Sequence, residues 1–184
     1  MKYYLLTFIF FIFSCKSEKN WDIIIFESLQ KLSADQIVVD IEVDGVPYFD
    51  KNEDFKASVL LNQMACQLEF INENLGKFNL RVEEADWSKA TSKRIKFKHG
   101  VPEANDLSGS LLIGKSINVI QEGFVLFNGS VEIKQLNQNA CVIVIDGELK
   151  KPENDNASKP INGVIVWKLP KELSSNPNWK EFYF

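Results

Sequence analysis

The pattern of hydrophobic and polar positions changes twice along this chain. Residues 3–13 form an apolar run, residues 21–32 carry apolar side chains at spacings of three and four, and from residue 37 onward apolar and polar positions alternate. An apolar run of this length is too short to cross a bilayer, which needs about 20 residues. A spacing of three and four is typical of an amphipathic helix, and alternation is typical of a half-buried strand. The pattern therefore predicts a leader, one helix and a β-rich body, in that order.

The predicted helix covers Trp21–Leu32. Its apolar positions lie on one face, Asn20 is a favourable N-cap residue, and the polar segment Ser33–Gln36 ends the pattern. We expect this helix to pack on a sheet.

Alternating segments predict short strands through the rest of the chain, with turns at Asp44–Gly45, Glu73–Gly76 and Asn137–Asn139. No helical segment separates these strands, so the sheet should be largely antiparallel. We predict a single β-rich domain over residues 21–184, either an antiparallel β-sandwich or an open up-and-down barrel, with one short N-terminal helix. The predicted strands are Ile37–Val43, Phe55–Leu61, Cys66–Phe70, Phe78–Val82, Ile95–Phe97, Leu111–Ile120, Phe124–Phe127, Val131–Ile133, Ala140–Leu149 and Val164–Leu169.

Three polar loops are candidates for binding, because rigid strands hold loops where a partner can reach them. They are Val46–Asp54, Glu83–Arg94 and Lys150–Pro160. The aromatic tail Trp179–Phe184 is predicted to be a final strand that closes the core.

The leader combines Lys2, the apolar run and small Ser14 before Cys15, the features of an export signal. Ile12, Phe13, Ser14 and Cys15 resemble the lipobox of bacterial lipoproteins, although Phe13 departs from its usual small residue. The resemblance implies cleavage after residue 14, acylation of Cys15 and a tether over residues 15–20. Residue 16 is lysine rather than the aspartate that retains enteric lipoproteins at the inner membrane, which favours the outer membrane.

Cys66 and Cys141 remain after that cleavage, and both lie in predicted strands. Outside the cytoplasm such a pair can form a disulfide. Each also shares the alternation of buried neighbours, so two buried free thiols are an equal alternative. Neither cysteine lies in a Cys-x-x-Cys pair, and we do not expect redox catalysis.

Gly109, Gly114, Lys115 and Ser116 match the phosphate-loop pattern G-x-x-x-x-G-K-[ST]. A phosphate loop requires a buried strand before it and a helix after it. Here a polar segment precedes the match, and the β-branched, glycine-broken residues 117–123 that follow would make a poor helix. We therefore reject nucleotide binding and predict no cofactor.

Charge and composition exclude further classes. The chain has 21 Lys and Arg against 25 Asp and Glu, a net charge of −4, which argues against a nucleic-acid partner. Its densest basic cluster, residues 89–98, alternates with Ile95 and Phe97 and is expected to be the wet face of one strand. His99 is the single histidine, so a histidine metal site or a histidine-based hydrolase is not expected. We predict no metal site and no catalytic residues.

The whole layout resembles small bacterial envelope lipoproteins of unassigned function. The resemblance lies in the lipobox, the Val43–Val46 turn followed by Tyr48 and Phe49, and the segment Gly129–Ile133 before the strand Ala140–Leu149. It implies a β-sandwich and no known activity. We expect a membrane-anchored, non-catalytic binding module whose ligand is a protein, a glycan or a small molecule. An envelope glycan-acting enzyme and a lipocalin-like carrier of an apolar ligand are the alternatives.

Overall fold

A computed structural model describes residues 19–104, 106–117, 120–152 and 157–184. The predicted leader and Cys15 lie outside these residues. Two α-helices, α1 and α2, two 3₁₀ helices and strands β1–β11 are described. The helices are α1 Trp21–Lys31, a 3₁₀ helix at Trp87–Lys89, α2 Lys171–Ser174 and a 3₁₀ helix at Pro177–Phe182. The strands are β1 Ile37–Val43, β2 Val46–Pro47, β3 Phe55–Asn62, β4 Ala65–Asn72, β5 Lys77–Val82, β6 Arg94–Lys98, β7 Val101–Pro102, β8 Gly109–Ile117, β9 Ile120–Leu136, β10 Ala140–Lys150 and β11 Lys159–Lys168.

The strands form one antiparallel sheet in the order β2-β1-β11-β10-β9-β8-β5-β4-β3. Strand β6 adds to the far half of β9 and pairs with β7. The sheet curls into a half-barrel, so that β1 near one margin comes into contact with β3 at the other. The prediction of a mainly β, antiparallel fold is confirmed, and of its two architectures the open barrel is the one that the curled sheet fits.

The interior of the half-barrel is filled by the inward rows of alternating side chains. Leu68 and Phe70 of β4, Leu111 and Ile113 of β8, and Trp167 of β11 are at most 1% exposed. The rings of Phe70 and Trp167 meet across the interior with centroids 6.0 Å apart. Burial of these apolar rows is the main stabilising term of the fold.

Helix α1 covers part of the outer face. Val164 and Val166 of β11 point away from the half-barrel interior and are nevertheless fully buried, because α1 packs against this strand. The Asn20 side chain accepts a hydrogen bond from the Ile23 amide, as predicted for the N-cap. The sequence prediction of a helix on a sheet is confirmed.

Strand β9 corrects the prediction of two strands at Phe124–Phe127 and Val131–Ile133. The chain bends here without breaking, because Gly129 has φ +112° and pairs directly with Gly147 of β10. A Cβ on either glycine would lie within 3 Å of backbone atoms of the opposite strand. The bend lets β9 pair with β8 along its first part and with β6 further on.

The half-barrel has two different ends. At the "lysine end", β1, β4, β8 and β10 finish and the strands after them begin. At the opposite "tail end", the C-terminal segment returns to the sheet. Trp179–Phe184 is not the final strand that the sequence predicts: Asn176 caps a 3₁₀ helix with Pro177 in its first turn, and only Phe184 bonds to the sheet, through the backbone of Leu136.

Candidate functional site

Lysines take over the inward positions of the sheet at the lysine end. Along β8 the inward row runs Leu111, Ile113 and Lys115, and in β11 Lys159 precedes the inward Ile161. Lys151 follows the inward Leu149 by two residues just beyond β10. Because side chains alternate across a sheet, these three lysines continue the rows that fill the core. They form a cationic rim above an apolar interior.

Lys115 is fixed against Tyr48. Its Nζ donates a hydrogen bond to the Tyr48 carbonyl oxygen at 3.1 Å and lies 4.5 Å from the centroid of the same ring. Among the described residues, no carboxylate lies within 4.0 Å of this ammonium group. An ammonium group has three donors, so Lys115 keeps donors for a ligand.

Two further lysines lie close to Phe124, which is 2% exposed. The Nζ atoms of Lys151 and Lys159 lie 5.5 and 5.4 Å from its ring centroid. Lys151 also faces Glu122 at 3.5 Å, and Lys159 faces Asp44 at 3.9 Å. These long ion pairs at half-exposed lysines are weak and leave the cations free to exchange partners.

The Tyr48 hydroxyl is buried without a hydrogen-bond partner among the described residues. Tyr48 as a whole is 7% exposed, and its ring packs edge-on against Phe49 at 4.8 Å and Phe124 at 6.3 Å. Burial and the negative charge of Glu122 raise the pKa of Tyr48, so the hydroxyl keeps its proton. A buried donor without an acceptor destabilises the folded state, so this hydroxyl is a group whose hydrogen bonding a ligand could satisfy. We call Tyr48, Lys115, Phe124, Lys151 and Lys159 the lysine–aromatic cluster.

The structure brings together two of the three predicted binding loops. Val46–Asp54 and the described parts of Lys150–Pro160 both lie at the lysine end, where Lys159 meets Asp44. The third loop, Glu83–Arg94, lies at the tail end and includes the 3₁₀ helix Trp87–Lys89. The first loop is not wholly exposed, because Tyr48 and Phe49 turn inward and close the core.

The residues of the phosphate-loop match lie in strand β8. Gly109, Gly114, Lys115 and Ser116 fall within Gly109–Ile117, and β9 pairs with β8 antiparallel from Ile120. An extended backbone does not gather its N–H groups around a phosphate, as the loop and following helix of a nucleotide site do. Lys115 instead acts from the inward face of the strand.

The basic cluster at residues 89–98 is occupied by internal contacts. Arg94 donates from Nε and Nη2 to Glu132 at 3.2 and 2.8 Å, and Lys89 bonds Asp86 at 2.8 Å. Lys93 donates to the Ala90 carbonyl and lies 4.5 Å from the Phe184 ring centroid, and burial lowers its pKa. These contacts fit the predicted wet strand face better than a binding patch.

Cys66 and Cys141 are both free and fully buried in the interior. Burial raises the pKa of Cys141 to about 12, and burial together with Cys141 raises that of Cys66. Of the two alternatives that the sequence leaves open, the structure contains the buried thiols. Thiols that stay protonated are poor nucleophiles.

A second polar feature is a cavity of about 310 Å³ beside β3 and β4, lined by Asp54, Glu69 and Glu73 among others. Glu69 is held by Lys77 and by the Asn79 amide at 3.1 Å, and the hydrogen bond from Lys77 lowers its pKa. Within the described part of the chain, no three His, Cys, Asp or Glu side chains are placed to hold a metal ion, and no helix has the length and apolar character to span a bilayer.

Comparisons with protein-family models, with curated proteins and with solved structures find no match to this chain. The candidate site therefore rests on its own geometry. One sequence signal would have found the cluster: a lysine two positions beyond or before a buried residue on the inward parity, as at Ile113 and Lys115 or at Lys159 and Ile161. No local signal identifies Tyr48, since its burial depends on strands far apart in sequence.

Proposed function

We propose that this protein is a membrane-anchored, non-catalytic binding module of the cell envelope, held by an acylated Cys15, whose ligand binds at the lysine end. The observation that carries the proposal is the lysine–aromatic cluster. Three cations and a hydroxyl that has no hydrogen-bond partner among the described residues lie on strands and loops at one end of the sheet. Such fixed polar groups over an apolar base are typical of ligand sites. The filled interior supports binding at the rim rather than an apolar ligand carried inside the barrel.

Anchoring is tested on the full chain, expressed with its own leader and recovered from the membrane fraction. We expect the intact mass to correspond to a product that begins at an acylated Cys15. A Cys15→Ala variant should keep residues 1–14 and lose the lipid, because the acylated thiol is gone. Recovery of the non-acylated wild-type chain, with Met1 retained, would disprove the anchor.

Binding at the lysine end is tested with a photo-crosslinking residue at exposed Val46, in the organism's own membranes. A matched probe replaces Gln138, which is exposed in the β9–β10 turn at the tail end. We expect an adduct from position 46 that is lost in Lys115→Gln and kept in Lys134→Gln, which removes the same charge elsewhere. Equal adducts from positions 46 and 138 would contradict the proposed surface.

A glycan-acting envelope enzyme is the second candidate function, and the cavity beside β3 and β4 favours it, because carboxylates of the kind that glycosidases use line it. Glu69 would act there as a charged base or nucleophile, since its pKa is lowered. The test is hydrolysis of cell-wall glycan by the full chain, with Glu69→Gln and Asp54→Asn as variants. Glycan hydrolysis by the wild type that both variants abolish would support the enzyme and contradict the non-catalytic binding module.

A further inference from the structure

The lysine–aromatic cluster has a charge arrangement that selects a class of ligand. Lys115 lacks a carboxylate partner among the described residues, and the Nζ atoms of Lys151 and Lys159 both lie within 5.5 Å of the centroid of the Phe124 ring. The rings of Tyr48 and Phe124, which these lysines contact, lie with centroids 6.3 Å apart, so the three cations belong to one small patch. A patch of ammonium groups favours a compact anion with several oxygens, of which a phosphoryl group is the common biological example.

Two carboxylates, one beside each of two of these lysines, restrict the ligand further. Glu122 lies 3.5 Å from Lys151, and Asp44 lies 3.9 Å from Lys159. A bare anion would meet repulsion from both groups. A ligand that also carries hydroxyl groups can donate hydrogen bonds to them, because an ionised carboxylate only accepts.

The Tyr48 hydroxyl gives the site an internal response to binding. When a phosphoryl group takes Lys151, the carboxylate of Glu122 is released from its ion pair. Glu122 acts electrostatically on the Tyr48 hydroxyl, which has no acceptor among the described residues. A carboxylate or ligand oxygen that reached this hydroxyl on binding would remove the cost of the unsatisfied donor.

From this arrangement we infer that the lysine–aromatic cluster binds a phosphorylated polyol, with the phosphoryl group on Lys115, Lys151 and Lys159 and the hydroxyl groups on Glu122 and Asp44. The inference rests on the proposed function and names the ligand class of that same site. It uses no covalent step, since the groups only bind.

One source of such a ligand is the membrane itself. Lys19 is held by Asp40 and Glu42 of β1 at 2.8 Å each, so the chain enters the domain beside the end where β1 finishes. Lys19 follows Cys15 by four positions, a stretch that reaches at most about 14 Å when extended. Glycerol-phosphate headgroups of anionic lipid are therefore one candidate source, and a soluble sugar or glycerol phosphate is the other.

The chemistry is tested by NMR titration of the full chain in neutral phosphatidylcholine nanodiscs. The probes are sn-glycerol 3-phosphate, inorganic phosphate, glycerol and sulfate, all at one ionic strength. We expect saturable shifts at Lys115 and Tyr48 with glycerol phosphate, weaker binding of inorganic phosphate and none of glycerol. Equal effects of sulfate and glycerol phosphate would show unselective anion binding and would overturn the inference.

Variants locate the binding and separate it from folding. Lys115→Gln should lower the affinity for glycerol phosphate by about tenfold or more, because it removes a charge-assisted hydrogen bond. Lys134→Gln, the same change on the outer face of β9, should leave the affinity unchanged. Tyr48→Phe should weaken binding severalfold while urea unfolding stays at the wild-type midpoint. Equal affinities for Lys115→Gln and Lys134→Gln would contradict the site.

The source is tested by lysine acetylation of the full chain in nanodiscs with and without phosphatidylglycerol. Protection of Lys151 and Lys159 by phosphatidylglycerol, with Lys134 and Lys180 unchanged, assigns the lipid headgroup. Protection only by added glycerol phosphate assigns a soluble ligand, and no protection by either overturns the inference. Lys115-dependent binding of a carboxylate probe such as citrate, with no response to phosphates, would disprove the ligand class while the proposed function stands.

Discussion

The tail end and the lysine end of the half-barrel are closed by the same kind of residue in opposite ways. At the tail end, Trp87 is fully buried, stacks on Phe182 at 5.8 Å and donates from Nε1 to the Asn62 carbonyl at 2.9 Å. At the lysine end, Tyr48 is also buried, and its hydroxyl has no partner among the described residues. The polar groups at the tail end are thus satisfied within the protein and stabilise the fold. The lysine end retains polar groups with which a ligand can form hydrogen bonds.

Of the changes that test this comparison, truncation of Trp87 is expected to have the largest effect on the free energy of unfolding. Trp87→Ala removes a stacked indole and leaves the Asn62 carbonyl unpaired, which should cost about 3–5 kcal/mol in the free energy of unfolding. Urea unfolding followed by far-UV circular dichroism measures it. Trp87→Phe is the matched control, because it keeps most of the packing and loses the hydrogen bond. A loss below about 1 kcal/mol in Trp87→Ala would show that the tail end does not carry the stability.

The reactivity of the two thiols should depend on the stability of the tail end. Cys66 is paired with Leu61 and Cys141 with Leu136, so both thiols lie near the tail end. Because burial keeps both thiols protonated, they should be modified only after the domain opens. Trp87→Ala should then speed their modification by about a hundredfold to a few thousandfold, as the expected loss of about 3–5 kcal/mol implies. Mass spectrometry of the two cysteine peptides measures the rate, and an equal acceleration in Lys115→Gln would contradict the comparison.

A smaller effect is expected from the Arg94–Glu132 pair, which ties β6 to β9. Burial disfavours the charge on Glu132, but the hydrogen bond from Arg94 and the charge of Lys134 outweigh it and lower its pKa from 4.5. The pair therefore stabilises the fold above about pH 4.5, and this contribution is lost as the pH falls through the lower folded-state pKa. Glu132→Gln should cost about 0.5–1 kcal/mol at pH 7, since the pair is partly exposed.

The check is a set of urea unfolding curves for the wild type and Glu132→Gln between pH 3 and pH 7. Their difference should shrink towards acid pH. A difference that stays constant down to pH 3 would assign the loss to packing rather than to the charge.

The smallest stability effect is expected at the lysine end. Tyr48→Phe removes a hydroxyl with no described partner, so the free energy of unfolding should change by less than about 0.5 kcal/mol or increase. The same variant should weaken ligand binding. Thermal unfolding without ligand measures the first effect, and a Tm several degrees below wild type would mean that the hydroxyl has a partner in solution and that the two ends do not differ.

Local pattern predicts the regular parts of the fold well. Ile37–Val43 is β1 as predicted, Asn20 caps α1, and the residues Glu73–Gly76 form the predicted turn. Alternation fails at β9, because a glycine in a strand reads as a break until its opposite glycine is known. It also fails at the tail, where Pro177 and Asn176 favour a 3₁₀ turn over the strand that the aromatic residues suggest.

The candidate site divides in the same manner. Parity alone marks Lys115 and Lys159 as cations on inward positions. The contact of Lys115 with Tyr48 joins residues 67 positions apart and depends on how far the sheet curls.

By itself, the order of the residues determined the β-rich class, the antiparallel pairing, the capped helix and the inward rows, because each follows from side-chain period and turn chemistry over a few neighbours. Only the tertiary structure decided that the rows close into a filled half-barrel and that both thiols lie free in its interior. It also decided that one rim places lysines beside Phe124 and Tyr48, whose hydroxyl has no partner among the described residues. These features depend on strand order and sheet curvature, which bring together segments that carry no information about one another locally.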